Sequence, residues 1–126
     1  MWIEGVCREL CDAAEFVAIV TNGDDGPHVV GNWGDYMRRL GIKDDTIVFP
    51  AGHYHQTEKN LRKNNRVQLL MASKKVQGSR SPGQGCVITG RGEILSSGAV
   101  VDAVKAEFPW ARGAFVIHVE NIQTQL

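Results

Sequence analysis

The residue types that could do chemistry fall into four groups. His53 and His55 flank Tyr54 two positions apart, and Thr57 follows at the start of a polar, helix-forming run. Two histidines at this spacing chelate a metal when one strand face carries both. Here a helix follows and no third ligand is evident, so polar residues at a ligand rim fit better than a metal site. A threonine at a helix start offers a hydroxyl beside free backbone N–H groups, an arrangement that attracts anions such as phosphate. Lys74, Lys75 and Arg80 supply positive charge in a glycine-rich stretch. Their plainer reading is a solvated basic loop around an ordinary helix cap.

The other groups are weaker. Cys86 and His118 stand at the ends of two expected strands, but no local pattern pairs them for nucleophilic catalysis. Ser79 and Ser81 flank Arg80 without the strand–turn–helix elbow of a serine hydrolase. Cys7 and Cys11 sit one helical turn apart with no second pair at ligand spacing, which favours a core role. Neither a GxxxxGK[ST] run nor a strand-borne GxGxxG is present, so nucleoside triphosphates and Rossmann dinucleotides are not indicated. Three aromatics remain: Trp33 and Tyr36 close to Asn32 and two glycines, and Trp110 between Pro109 and Arg112. Together they offer enough aromatic area to hold a flat heterocycle.

The elements that must position these residues follow from periodicity. Ile3, Val6, Cys7, Leu10, Cys11 and Ala14 trace one helical face. Phe16–Thr21 and His28–Trp33 read as a hairpin around the turn formers of residues 22–27. Val29, Gly31 and Trp33 share one face of its second strand, which read alone suits a core strand with a buried tryptophan. A Gly/Asn-rich bend follows, then a turn at residues 41–45 and a strand over 46–49 that stops at Pro50. Thr57 is placed as the N-cap of a surface helix to about Asn64. A strand over 67–72, a long loop over 73–85 and a strand over 86–95 with a bulge near Gly90 come next. A helix capped by Ser97 runs to Phe108, and a last strand over 114–119 leaves a short tail. Strands in hairpin order without βαβ spacing predict one mainly β, antiparallel, six-stranded barrel domain with inserted helices over 1–126.

Composition limits the function classes. The 126 residues are 43% hydrophobic and 22% charged, an ordinary globular balance. Fourteen basic residues offset fourteen acidic ones, which argues against nucleic-acid binding. No apolar run reaches bilayer length or resembles a signal peptide. An odd cysteine count, three, argues against a disulfide framework and for the cytoplasm.

A set of short motifs in register adds a resemblance. These are Asp25-Gly-Pro-His28, Val30-x-x-Trp33-x-x-Tyr36, Pro50-x-Gly52, His55-x-Thr57-Glu58, Ser73-x-Lys75-Val76-x-Gly78, Pro82-Gly83-x-Gly85 and Trp110-Ala-Arg112. The chain from about Phe16 to Leu126 resembles the FMN-binding split β-barrels related to pyridoxamine 5′-phosphate oxidase. Within them it is similar to the small FMN-binding proteins of sulfate-reducing bacteria. The resemblance implies a homodimer with FMN held non-covalently near the subunit interface. It implies that Asn32, Trp33 and Tyr36 line the flavin, with Gly31 and Gly34 allowing close backbone approach. Pro50, Ala51 and Gly52 would pass the ring edge, Gln56 and Thr57 would face the phosphate, and Trp110 would flank the ring. Leu126 of the partner subunit would cover it. Gln56 stands where the resembled proteins have a lysine, and Gly31, Asn32 and Gly34 replace Asn, Thr and Asn. The implied role is electron carriage, with a possible redox protein partner, or a small flavin-dependent oxidoreductase. The alternative is a non-redox module of the same fold that binds another flat ligand or only a partner subunit. No residue stands out as a general acid or base.

Overall fold

The computed structural model describes residues 2–126. Six strands form one antiparallel sheet in the order β2-β1-β4-β5-β6-β3. In chain order these are β1 (Phe16–Gly23), β2 (Gly26–Trp33), β3 (Thr46–Ala51), β4 (Arg66–Gln77), β5 (Pro82–Leu95) and β6 (Gly113–Thr124). Four helices interrupt them: α1 (Gly5–Ala13), α2 (Gly34–Leu40), α3 (His55–Lys63) and α4 (Ala99–Glu107). The mainly β, antiparallel, six-stranded reading holds.

Val17, Ile19 and Thr21 of β1 point inward with Val67, Leu69 and Met71 of β4, Ile88 of β5 and Ile117 of β6. The buried face of α1, built from Cys7, Leu10 and Cys11, covers this core. Leu10, Cys11, Ile19, Leu69 and Ile88 are fully sequestered. Such burial contributes about 1.5–3 kcal/mol per large side chain. A smaller apolar cluster of Val101, Val104, Phe108, Ala111, Ala114 and Val116 seats α4 against β6.

The sheet curls so that its two edge strands, β2 and β3, approach without pairing. Side chains bridge the seam: Asn32 Nδ2 donates to the Pro50 carbonyl at 3.4 Å, and the Tyr54 hydroxyl donates to the Gly31 carbonyl at 3.2 Å. Pro50 pairs with Ala114 inside β3. Its missing N–H is tolerated because β3 is an edge strand. The bulge expected near Gly90 is present, with a register shift between Thr89 and Gly90. A Cβ there would lie 2.1 Å from the His118 carbonyl oxygen, so no larger residue fits.

Several boundaries differ from the expectation. The Gly/Asn-rich bend is helix α2, which starts at Gly34 directly after Trp33. Strand β3 continues through Pro50 to Ala51. The long basic loop over 73–85 is ordered strand: β4 runs to Gln77, β5 begins at Pro82, and a four-residue turn joins them. Cross-strand pairing overrides the weak local propensity of this polar segment. Gly98, not Ser97, caps α4, and the expected tail is strand to Thr124.

Candidate functional site

The N-terminus of α3 organises the site. Its cap is Tyr54, in the left-handed region at φ 65°, ψ 26°. That conformation is costly for a large non-glycine residue and persists only where the surroundings enforce it. Here the enforcement is specific. The Tyr54 hydroxyl accepts a hydrogen bond from Asn32 Nδ2 at 2.8 Å while donating to Gly31, and the ring packs edge-on to Phe115 at 5.3 Å. Burial pushes its phenol pKa up to about 12, with the Asn32 amide pulling the other way. Thr57, expected as the cap, lies inside the first turn instead. It is fully buried, and its Oγ1 has no hydrogen-bond partner among the described residues.

Arg112 fixes the loop between β3 and α3. Its Nε and Nη2 reach the His53 carbonyl at 3.0 and 2.6 Å, and Nη2 lies 3.1 Å from Glu58 Oε1. The backbone N–H of Arg112 donates to the Ala51 carbonyl at 2.8 Å. One arginine, immediately before β6, thereby ties the end of β3, the following loop and the first turn of α3 together.

These elements enclose an open cavity of about 300 Å³, lined by Val30, Gly31, Asn32, Pro50, Gly52, His53, Tyr54 and Trp110. Trp110 is 55% exposed and lies across Gly52, where a Cβ would meet its ring at 3.0 Å. Behind it, Tyr36, Phe108 and Trp110 form an aromatic cluster with ring centroids 4.8–5.9 Å apart, and Arg39 sits 4.5 Å from the Phe108 ring centre.

The structure thus brings Gly31, Asn32, Pro50, Gly52 and Trp110 to one cavity from three separate stretches of chain. Trp33 and Tyr36 line a separate hollow with Ala13, Glu15, Asp35 and Arg38. Asn32 and Trp33 are neighbours on β2 and face opposite sides of the sheet, as strand alternation requires. The face shared by Val29, Gly31 and Trp33 is the outer one. Trp33 is 48% exposed and packs edge-on against Phe16 at 5.0 Å, so it is not a core residue. Ala51 is buried in β3 beside the cavity wall. The space beside Gly31 holds the Phe16 ring, and that beside Gly34 holds the Ala14 carbonyl, 1.9 Å from where a Cβ would sit.

Gln56 opens onto a second, polar cavity of about 330 Å³ with His28, Lys59, Asn60 and Lys63. Its Nε2 donates to Asn60 Oδ1 at 2.8 Å, and Asn60 Nδ2 donates to Thr21 Oγ1 at 3.1 Å. Lys74 and Lys75 belong to the β4 arm, while Arg80 lines a separate hollow with Leu126. Gln84 holds the backbone of Leu126, whose side chain stays exposed. His53, expected at a ligand rim, does line the cavity, whereas Tyr54 and Arg112 carry roles that local sequence signals do not reveal. The Tyr54 conformation and the Arg112 contacts exist only once residues more than 20 positions apart meet. Among the described residues no cluster of three metal-ligating side chains occurs, and no helix is long and apolar enough to cross a membrane.

A curled antiparallel sheet, its edges bridged by side chains and its seam opening into an aromatic-flanked cavity, defines a split β-barrel with a ligand-sized site. A family model described as pyridoxamine 5′-phosphate oxidase matches residues 3–125. The chain is 40% identical over 124 residues to a protein named "FMN-binding protein" from Nitratidesulfovibrio vulgaris (strain DSM 19637 / Miyazaki F), covering 98% of this chain and 99% of that one. The chain therefore belongs to the pyridoxamine 5′-phosphate oxidase family. Among solved structures it is similar in fold to HupZ of group A Streptococcus, at TM-score 0.77 and 21% identity, covering 98% and 99% of the two chains. It is also similar in fold to an FMN-binding protein from Syntrophomonas wolfei subsp. wolfei, at TM-score 0.65 and 14% identity, covering 94% and 83%.

Proposed function

We propose that this chain is an FMN-binding flavoprotein, acting as an electron carrier or a small flavin-dependent oxidoreductase, with the cofactor held non-covalently near the interface of a homodimer. The observation that carries this reading is the convergence of Asn32, Pro50, Gly52 and Trp110 on one open cavity. Its volume lies at the lower end for ligand sites, which suits one flank of a flat ring and leaves the other for a second subunit. The relative from Nitratidesulfovibrio vulgaris carries the matching name.

The residues present fit FMN. Trp110 offers a broad, half-exposed aromatic face held in place by contact with Gly52. Thr57 Oγ1, in the first turn of α3, is a buried hydroxyl without a partner among the described residues, and the free N–H groups of that turn favour an anion. Thr57 and that first turn would hold the phosphate, with Gln56 beside them and Lys59 the nearby cation in the polar cavity. Pro50, Ala51, Gly52 and Trp110 would border the ring. Bound flavin supplies one- or two-electron transfer, and the chain binds, orients and shields it. Asn32 has its amide committed to Tyr54, Pro50 and the Trp33 N–H. Polar recognition of the ring therefore falls to backbone groups of the 50–54 segment.

The dimer reading is supported by the outer face of β1, β2 and β4. The register sets Phe16 opposite Trp33, Val20 opposite Val29 and Ala18 between Gly31 and Leu70. Phe16, Val29, Trp33 and Leu70 are all substantially exposed there. A contiguous apolar face of this kind marks an interaction surface.

FMN titration, followed by flavin absorption and quenching of tryptophan fluorescence, tests the proposal; light scattering gives the assembly state. Saturable one-to-one uptake by a dimer is expected. A colourless protein that takes up no added FMN sinks the flavoprotein reading and leaves the non-redox module. NAD(P)H oxidation by the loaded protein alone separates an oxidoreductase from a carrier.

A further inference from the structure

All three cysteines meet in the core, although 79 positions separate the first from the last. Cys7 and Cys11 project from the buried face of α1, and Cys86 lies on β5 opposite Met71 of β4. Cys86 Sγ is 3.7 Å from Cys7 Sγ, and Cys11 Sγ is 3.7 Å from Met71 Sδ. All three thiols are free and buried. Cys7 and Cys11, four residues apart on one helix, have Cβ atoms roughly 5–6 Å apart. That exceeds the roughly 3.5–4.5 Å of a disulfide. Cys7 and Cys86 lie on different elements, already at sulfur contact, and closing the bond needs an approach of only about 1.7 Å.

The thiols are also chemically unequal. Hydrogen bonds from Cys11 and Cys86 converge on Cys7 and hold its thiol well below the ordinary range, while Cys11 and Cys86, as donors in a buried site, are pushed up. Cys7 is the sulfur disposed to attack.

We propose that Cys7 and Cys86 form a redox-active dithiol that low-molecular-weight disulfides oxidise, stapling α1 to β5. The Cys7 thiolate attacks one sulfur of the small disulfide, and its other half leaves as a thiolate. Cys86 then loses its proton, attacks Cys7 Sγ in the mixed disulfide and expels the second small thiol. Two electrons and two protons pass from the protein to the small disulfide, which ends as two thiols. Access requires a local opening in which α1 separates from the sheet, and the N-cap Glu4 makes no side-chain hydrogen bond that would hold its first turn. The staple also bears on the candidate site. Arg38 of α2 donates to the Cys11 and Ala14 carbonyls at 3.1 and 2.7 Å, so fixing α1 steadies the helix that carries Tyr36.

Trypsin makes the test direct, because cleavage after Arg8, Arg38, Arg80 and Arg91 puts Cys7, Cys11 and Cys86 in separate peptides, 1–8, 9–38 and 81–91. The whole protein is incubated with oxidised glutathione, alkylated in denaturant, digested and mapped without reduction. The expected result is peptide 1–8 joined to 81–91, an alkylated Cys11, an intact mass about 2 Da lower before alkylation, and a Tm several degrees higher that dithiothreitol reverses. Cys11→Ala should keep the link and Cys86→Ala abolish it; the wild-type map stands alone if either variant fails to fold. Three alkylated cysteines, a link that includes Cys11, or a lasting glutathione adduct on Cys7 overturns the proposal.

Discussion

Replacing Thr57 by valine separates what this residue contributes to folding from what it contributes to binding. The side chain is fully buried and its Oγ1 has no partner among the described residues. A hydroxyl in that position costs about 1–3 kcal/mol relative to an apolar group of the same shape. Valine keeps the shape and removes the cost, so the FMN-free variant should be more stable by about 1–2 kcal/mol. For a chain of this length the Tm should rise by roughly 4–8 °C, from an unfolding entropy of about 2.1 cal/mol/K per residue. If the hydroxyl serves the phosphate, the loaded protein behaves differently. The wild-type hydroxyl then gains a charge-assisted partner that valine cannot provide, worth about 1.5–3 kcal/mol. The stabilisation produced by FMN should therefore shrink in Thr57→Val, and the dissociation constant should rise by about tenfold or more. Differential scanning fluorimetry with and without saturating FMN, together with a fluorescence titration, measures both effects. A variant less stable than wild type without FMN would refute the orphan argument. An unchanged FMN-induced Tm shift would refute the phosphate assignment.

Tyr54→Phe removes the hydroxyl bridging Asn32 and Gly31, and should cost about 1–3 kcal/mol by urea denaturation. Because burial raises the Tyr54 pKa to about 12, from an ordinary value near 10, its contribution is complete below pH 10 and is lost as pH rises toward 12. Wild type should thus lose up to about 2–3 kcal/mol more than Tyr54→Phe over that interval; parallel pH profiles would contradict the burial argument. Gly52→Ala places a Cβ 3.0 Å from the Trp110 ring, so the tryptophan emission should shift and FMN affinity fall by about tenfold; an unchanged spectrum and affinity would detach Trp110 from the site. Gln56→Lys should tighten FMN binding by about tenfold through an added charge-assisted contact, and lower stability by about 1 kcal/mol by taking a donor from Asn60. Isothermal titration and thermal melts separate these two effects, and weaker binding would count against a phosphate beside α3.

Much of the architecture was legible because each strand carries its own signal. Val17, Ile19 and Thr21 alternate inward along β1, and the apolar stripe of α1 runs through Cys7, Leu10 and Cys11. What local pattern missed depends on contacts made elsewhere. Helix α2 has only seven residues and starts at a glycine, so propensity is too weak to announce it. Its first residue must be small because the Ala14 carbonyl occupies the neighbouring space. Residues 73–77 and 82–85 look like loop by composition and become strand because β4 and β5 pair there. The α3 cap was misplaced for a related reason. Thr57 has the chemistry of a cap, but Tyr54 takes that position because Asn32 and Gly31, on another strand, hold its hydroxyl.

Asn32 and Gln56, both polar residues expected at the ligand, have their amides engaged by neighbouring residues of the protein. Asn32 closes the seam between the edge strands, and Gln56 caps a buried relay through Asn60 to Thr21. In each case an unsatisfied partner would be left behind if the amide turned toward a ligand. Asn60 and Thr21 are buried, so the penalty falls on groups that water cannot rescue. Such a site recognises its ligand mainly through aromatic surface and backbone groups held rigid by Arg112 and Tyr54. Rigidity of this kind lowers the entropic cost of binding, which offsets side-chain hydrogen bonds that the amides do not make. Affinity in this protein should accordingly depend more on Arg112, through its grip on the His53 carbonyl and Glu58, than on Gln56. Arg112→Lys, which keeps the charge and loses the two-pronged contact, should weaken FMN binding more than Gln56→Ala does. The reverse order in titration would show that side-chain polarity, and not a pre-formed loop, governs the site.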